Sequence, residues 1–159
     1  MVGKKNLFIE TEELLKNYND MVYMIEMFKK EIEIYEREYE GCGSISYEEK
    51  TGVTNKFNSS VENEIIKRER KTEKIKEKLD EKMLLKNRID CAIASLKLQE
   101  ERDLIKLRYI NNPQISWGNI ARHLGYDKDH CRKKIAPRAI RKIANFIFYD
   151  GGIQNKFIV

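Results

Sequence analysis

The chain has 159 residues, 36% of them charged, with 31 Lys and Arg against 26 Asp and Glu and a formal net charge of +5. Mean hydropathy is −0.66, and there are two prolines and eight glycines. This composition argues against a membrane-embedded protein, a β-sandwich or a doubly wound sheet, and suits long solvated helices in one or two small domains.

The charge is uneven. Residues 99–159 hold twelve Lys/Arg and six Asp/Glu, a net +6, whereas residues 1–98 hold nineteen and twenty, a net −1. A basic part that meets phosphate and a balanced part that contacts protein is the expected division. The opening MVGKKNLFIETEE has no apolar core of signal-peptide length, and no apolar run reaches membrane-spanning length. Cys42, Cys91 and Cys131 are an odd number without a Cys-x-x-Cys pair, which is read as reduced thiols of a cytoplasmic protein.

Residues 10–39 read as one long amphipathic helix. Leu14, Tyr18, Met21, Ile25, Phe28, Ile32, Tyr35 and Tyr39 alternate at spacings of four and three, a heptad seam that predicts a coiled coil. Leu15, Val22 and Met24 widen the apolar surface. The aromatic residues are read as core rather than as a platform for stacked bases. Gly41-Cys42-Gly43-Ser44 ends this helix, and residues 40–60 are read as a loop, either disordered or folded over the hairpin. Gly41-x-Gly43 is no phosphate loop, because no strand precedes it and no Lys-Ser/Thr follows in register.

Ser59 or Ser60 is expected to cap a second long helix. Ile65, Thr72, Ile75, Leu79, Ile89, Ile93 and Leu96 keep a seven-residue frame that Arg68, Lys82 and Lys86 interrupt, with Met83 and Leu85 to either side. The stretch KRERKTEKIKEKLDEK nearly balances its charges and is read as a solvated coiled-coil flank. Two long helices joined by a loop should fold back antiparallel. Residues 1–98 are therefore expected to form a coiled-coil helical hairpin that dimerises, with the boundary near Lys97-Leu98-Gln99-Glu100.

Leu98, Leu104, Ile105, Leu107, Arg108 and Tyr109 are assigned to a helix that Asn111-Asn112-Pro113 stops. Ser116 then caps a helix with Ile120, Ala121 and Leu124 on one face, Gly125 supplies a sharp turn, and Asp127 caps the next helix. Ala121 and Gly125, four apart, suit two closely crossing helices, and Cys131 and Ile135 give the second helix an inward face. Alone, Ile-Ala-x-x-Leu-Gly fits an ordinary helix end in an all-α protein. The charge around it points further. From Arg122 to Lys142 there are eight Lys or Arg and two Asp, a net +6 in twenty-one residues, which predicts a helix-turn-helix that binds DNA.

Pro137 leaves two outcomes: the helix ends near Ala136 and another begins, or it runs on with a bend. The continuous, bent helix is the reading adopted, with Ile143, Phe146 and Ile147 packed inward and Asp150-Gly151-Gly152 closing it. Leu104, Leu107, Ile120, Leu124, Ile135 and Ile140 are the expected core of a three-helix domain over 99–150, and residues 151–159 form a tail. His130 and Cys131 are adjacent, hence about 100° apart around a helix, and no second pair has ligand spacing; no metal and no cofactor is expected.

Glu101-Arg102-x-Leu104-Ile105-x-Leu107-Arg108-Tyr109, Ser116-Trp117-x-x-Ile120-Ala121-x-x-Leu124-Gly125 and the basic helix Cys131–Ile143 together resemble sigma-factor region 4. The whole layout resembles the small phage and prophage late-gene transcriptional regulators of the ArpU and RinA type. That resemblance implies promoter binding and activation of late, packaging or morphogenesis genes.

The expectation is thus an all-α transcriptional regulator that binds double-stranded DNA as a homodimer through its N-terminal helices, with RNA polymerase as a further candidate partner and no membrane. Lys128, Asp129, Arg132 and Lys133 are assigned to base edges in the major groove. Ser116, Arg122, Lys134, Arg138, Arg141 and Lys142 are assigned to phosphates. The rival classes are a small terminase subunit that recognises DNA for packaging, and a protein-binding inhibitor of a host factor. No nucleophile–base pairing, metal spacing or phosphate loop points to an enzyme.

Overall fold

The computed structural model describes residues 6–40, 58–111 and 113–148, and all regular structure among them is helical. The expectations for the loop, for Cys42, for Asn112 in the helix stop, for Asp150-Gly151-Gly152 and for the tail lie outside the described residues. The elements are α1 (Leu7–Lys16), α2 (Tyr18–Glu40), α3 (Asn58–Ala94), α4 (Gln99–Ile105), α5 (Trp117–Leu124), α6 (Lys128–His130) and α7 (Ala136–Phe148). A π-helical stretch, Lys106–Asn111, continues α4, and a second, Cys131–Ile135, joins α6 to α7. The all-α class expected from composition is the class observed.

The chain divides into two compact units, one of Met1–Val22 with Leu84–Val159, the other of Tyr23–Met83. This division does not fall at the boundary near residue 98. Its physical cause is α1, which packs on α7 and on the stretch Lys106–Asn111, and so belongs with the C-terminal helices.

The first helix also differs from the expected single span over 10–39. Asn17 interrupts it at φ −89°, ψ 6°, although its N–H still donates to the Glu13 carbonyl at 3.0 Å and its carbonyl accepts from Met21. On α1, Thr11 and Leu15 are fully buried inside the unit that α1 shares with the C-terminal helices. Full burial of Leu15 stabilises this docking by about 1.5–3 kcal/mol. Asn6 caps α1 by accepting the Phe8 N–H at 3.2 Å.

Two side chains at the start of α2, Tyr18 and Asn19, make contacts inside this same unit. The Asn19 amide donates to the Ile110 carbonyl at 3.0 Å and reaches the Tyr109 carbonyl at 3.5 Å. These carbonyls lie in the last turn of the π-helical stretch, so Asn19 acts as a cap supplied from elsewhere in the chain. The Tyr18 hydroxyl donates to Asp90 on α3 at 2.7 Å, and Lys86 donates to the other oxygen of the same carboxylate at 2.7 Å.

In the unit Tyr23–Met83, Glu36 on α2 pairs with Lys76 on α3 at 2.9 Å, and Lys71 lies over the Tyr35 ring at 4.8 Å. Within each unit α2 meets α3, through Tyr18 and Asp90 in the one and through Glu36 and Lys76 in the other. The heptad residues Met21, Ile25 and Ile32 are buried within the protein, while Leu14, Phe28 and Tyr35 are half-buried. On α3, Ile75, Ile89 and Ile93 are buried, as is Leu96 just beyond its end, and so is Leu85, which was expected beside the seam. Ile65, in the same frame, is exposed. Helix α3 already includes Ser59 and Ser60, the residues expected to cap it.

Tyr109 is buried in the C-terminal unit, and its hydroxyl donates to Glu12 at 3.3 Å. Burial first, then the Glu12 charge, pushes its ionisation far above the ordinary tyrosine value; burial and Asp90 push Tyr18 up as well. The folded state therefore keeps protons that the unfolded chain releases. This stabilisation is complete below a pH of about 10 and is lost as pH rises above it. For Tyr109 the loss should reach about 1.4 kcal/mol per pH unit. Urea midpoints measured between pH of about 9 and about 11 should fall less steeply for Tyr109→Phe than for the parent chain; equal slopes would contradict the assignment.

Candidate nucleic-acid interface

Local rules build the turn between α5 and α6. Ser116, extended at φ −72°, ψ 150°, accepts the Asn119 N–H on its hydroxyl at 3.2 Å. Arg108 steadies the approach, donating to the Ile115 carbonyl at 2.6 Å with its guanidinium 5.0 Å from the Trp117 ring centroid. Gly125 ends α5 at φ 72°, the left-handed region, and the following Tyr126 N–H donates to the Ala121 carbonyl at 3.0 Å. Asp127 then accepts the N–H groups of Asp129 and His130 at 2.8 and 3.3 Å, starting the next helix.

From Lys128 the chain is helical without interruption to Phe148, and Pro137 stands in the first turn of α7. Proline lacks an N–H, and its ring clashes with the carbonyl four residues back in a regular helix. The wider π-helical stretch Cys131–Ile135 lies immediately before it and gives that carbonyl room. The buried side runs through Cys131, Ile135, Ala136, Ala139, Ile140, Ile143, Ala144 and Ile147. Of the expected core, Leu104, Ile120, Ile135 and Ile140 are buried, and Leu107 and Leu124 are half-buried. Phe146, expected to point inward, is 47% exposed, because the buried row passes through Ile143 and Ile147 on its flank.

With one side fixed, the other side is determined. Lys128, Asp129, Arg132, Lys133 and Lys134 are all exposed. Lys133 pairs with Asp129 at 2.8 Å, with side chains 65% and 61% exposed. That hydrogen bond and charge hold the Asp129 carboxyl below its usual range. An exposed pair of this kind is weak and opens readily to other partners. Lys128, Arg132, Lys134 and Arg141 make no ion pair among the described residues. Arg122 is exposed on α5, its nearest partner the Asn119 side chain at 3.5 Å. The Ser116 hydroxyl is spent as an acceptor but keeps its own hydrogen to donate.

Arg138 and Lys142, expected to face phosphate, are engaged within the chain instead. Both meet Glu101 of α4, whose side chain is fully buried. Arg138 Nε donates to it at 2.5 Å, and Lys142 Nζ to its two oxygens at 2.8 and 2.9 Å. Arg138 Nη2 also donates to Glu100 at 3.0 Å, and Glu100 accepts the Tyr126 hydroxyl at 3.3 Å. The physical reason is that a buried carboxylate needs opposite charge close by, and α4 packs directly on α7.

His130 and Cys131 diverge. His130 is exposed and stacks on the Tyr126 ring, with centroids 5.3 Å apart and planes at 19°, whereas Cys131 is buried and its thiol is pushed up by that burial. No cluster of three or more metal-binding side chains occurs among the described residues, and no helix there is long and apolar enough to cross a membrane. The stack, Glu100 and Glu101 escaped the sequence reading. Glu101 sits in the resemblance to region 4, but nothing in its neighbours marks it as buried.

The family model described as "Protein of unknown function (DUF722)" matches residues 10–144. The chain belongs to that family. The match runs from α1 through most of α7, so the family covers the hairpin and the basic helix together. No curated protein and no solved structure matches the chain.

Space around Gly125 is open, with nothing within 4 Å of an added Cβ. Only its backbone angle demands glycine. Gly125→Ala should therefore lower stability by about 1 kcal/mol, and Gly125→Asn by less, in urea unfolding. An alanine variant as stable as the parent would show that the turn does not hold this angle in solution.

Proposed function

We propose that this protein is a sequence-specific DNA-binding transcriptional regulator that inserts the helix beginning at Lys128 into the major groove. The observation that carries the reading is the set Lys128, Arg132 and Lys134, exposed and without an ion pair among the described residues, on a helix whose opposite side is buried. Lys128 and Arg132 are one helical turn apart, as are Asp129 and Lys133. Long, flexible cations on one solvent-facing surface suit guanine edges, and Asp129 suits a cytosine amino group once Lys133 has moved away. Arg122, Arg141 and the Ser116 hydroxyl flank that surface and suit phosphate. Activation of late genes and contact with RNA polymerase rest on the resemblance to phage regulators alone.

Dimerisation belongs to the same reading. The heptad seam proposed for it is largely occupied inside the protomer, but Tyr23, Met27 and Ile34 on α2 remain 73%, 52% and 55% exposed. They fall on one stripe at spacings of four and seven, which suits a second helix. Exposed apolar side chains also suit the rival reading as a terminase subunit, and mass measurement in solution separates the two: a dimer supports the regulator, a large ring the terminase.

Fragments selected from a source genome supply the duplex for the binding test. Arg132→Ala should weaken binding to a selected site by about 1–3 kcal/mol and relax its preference at one base pair. Arg141→Ala should weaken all sequences alike and lower the slope of log K against log salt by about 1. Binding that ignores salt, or a complete failure to bind any duplex, would end the proposal.

A further inference from the structure

We propose that Glu101 is an internal substitute for phosphate that withholds Arg138 and Lys142 from DNA and so shortens the cationic row of the binding helix. This rests on the DNA-binding reading above and deepens it.

His130, Lys134, Arg138 and Lys142 follow one another at intervals of four along the helix. Such a row lies along one side of the helix. Were all its cations free, Lys134, Arg138 and Lys142 would span about 12 Å of axis. A cation row of that length follows a phosphate backbone whatever its sequence. The row is instead cut after Lys134. Lys142 puts its ammonium on both oxygens of Glu101, and Arg138 is shared between Glu101 and Glu100.

The burial is one-sided. The Glu101 side chain is 0% exposed, while those of Arg138 and Lys142 are 45% and 44% exposed. The two cations therefore sit at the surface, within reach of a polyanion, and only the carboxylate is inaccessible. A buried carboxylate needs positive charge close by, and here both cations come from the row that would otherwise meet phosphate. The result leaves base-facing Lys128, Arg132 and Lys133 at the start of the helix and takes two of the cations beyond Lys134 out of phosphate contact, so that sequence recognition is a larger share of total affinity.

The test measures binding of the full chain to a random-sequence duplex by fluorescence anisotropy across a salt series. Glu101→Gln keeps the shape and removes the charge. It should steepen the slope of log K against log salt by about 1 to 2, as one or two further phosphates are engaged at about 0.9 each. The triple variant Glu101→Gln, Arg138→Gln, Lys142→Gln should return to the parent slope. Arg138→Gln alone on the parent background, which leaves Lys142 on both oxygens of Glu101 and keeps the test valid should Glu101→Gln fail to fold, should leave the slope unchanged. A folded Glu101→Gln protein with the parent slope, or an Arg138→Gln variant whose slope falls by about 1, would overturn the proposal. A parent chain that binds no duplex at any salt would overturn the DNA reading itself, a result distinct from either.

Discussion

A helix dense in lysine and arginine can present its charge usefully only when its remaining side is held. Here Cys131, Ile135, Ala139, Ile140, Ile143 and Ile147 hold it, packed on α1, α4 and α5 within one unit. The apolar row decides which way Lys128, Arg132 and Lys134 face. Full burial of each large side chain in that row contributes about 1.5–3 kcal/mol, whereas the Asp129–Lys133 pair, being exposed, adds little to stability. Orientation of the surface is thus a packing property, and its charge is free for a partner.

Pro137 and the two glutamates at the start of α4 set how far that surface extends. The π-helical stretch before Pro137 lets one helix continue past a residue that would otherwise break it, so α6 and α7 share a single buried row. From α4, Glu100 and Glu101 take up the charge of Arg138 and Lys142 on that helix. Lys128, Arg132 and Lys134, with no ion pair among the described residues, are left nearer the turn, the part of the helix that the proposed reading sets against base edges.

What was legible in the sequence was local. Ser116, Gly125 and Asp127 announce their caps and turn because each acts on backbone within three residues of itself, and the structure shows those bonds. The continuous helix through Pro137 and the antiparallel hairpin were also read from spacing and helix length. What escaped depends on distant chain. The interruption at Asn17 and the packing of α1 on α7 have no local signal in the sequence. Asn19 looks like an ordinary polar residue on a helix until its amide is seen on the Ile110 carbonyl. The burial of Glu101 likewise follows from helix packing, and with it the ion pairs of Arg138 and Lys142.

The central claim is that the surface from Lys128 to Lys134 meets duplex DNA. The most direct measurement is an NMR titration of the isotopically labelled chain with a selected duplex, following backbone amide shifts. The account predicts the largest changes at Lys128–Lys134 and at Ser116, with Tyr23–Met83 unaffected by added duplex beyond any change from self-association. Changes concentrated on α2 and α3, with the amides of Lys128–Lys134 unmoved, would contradict it.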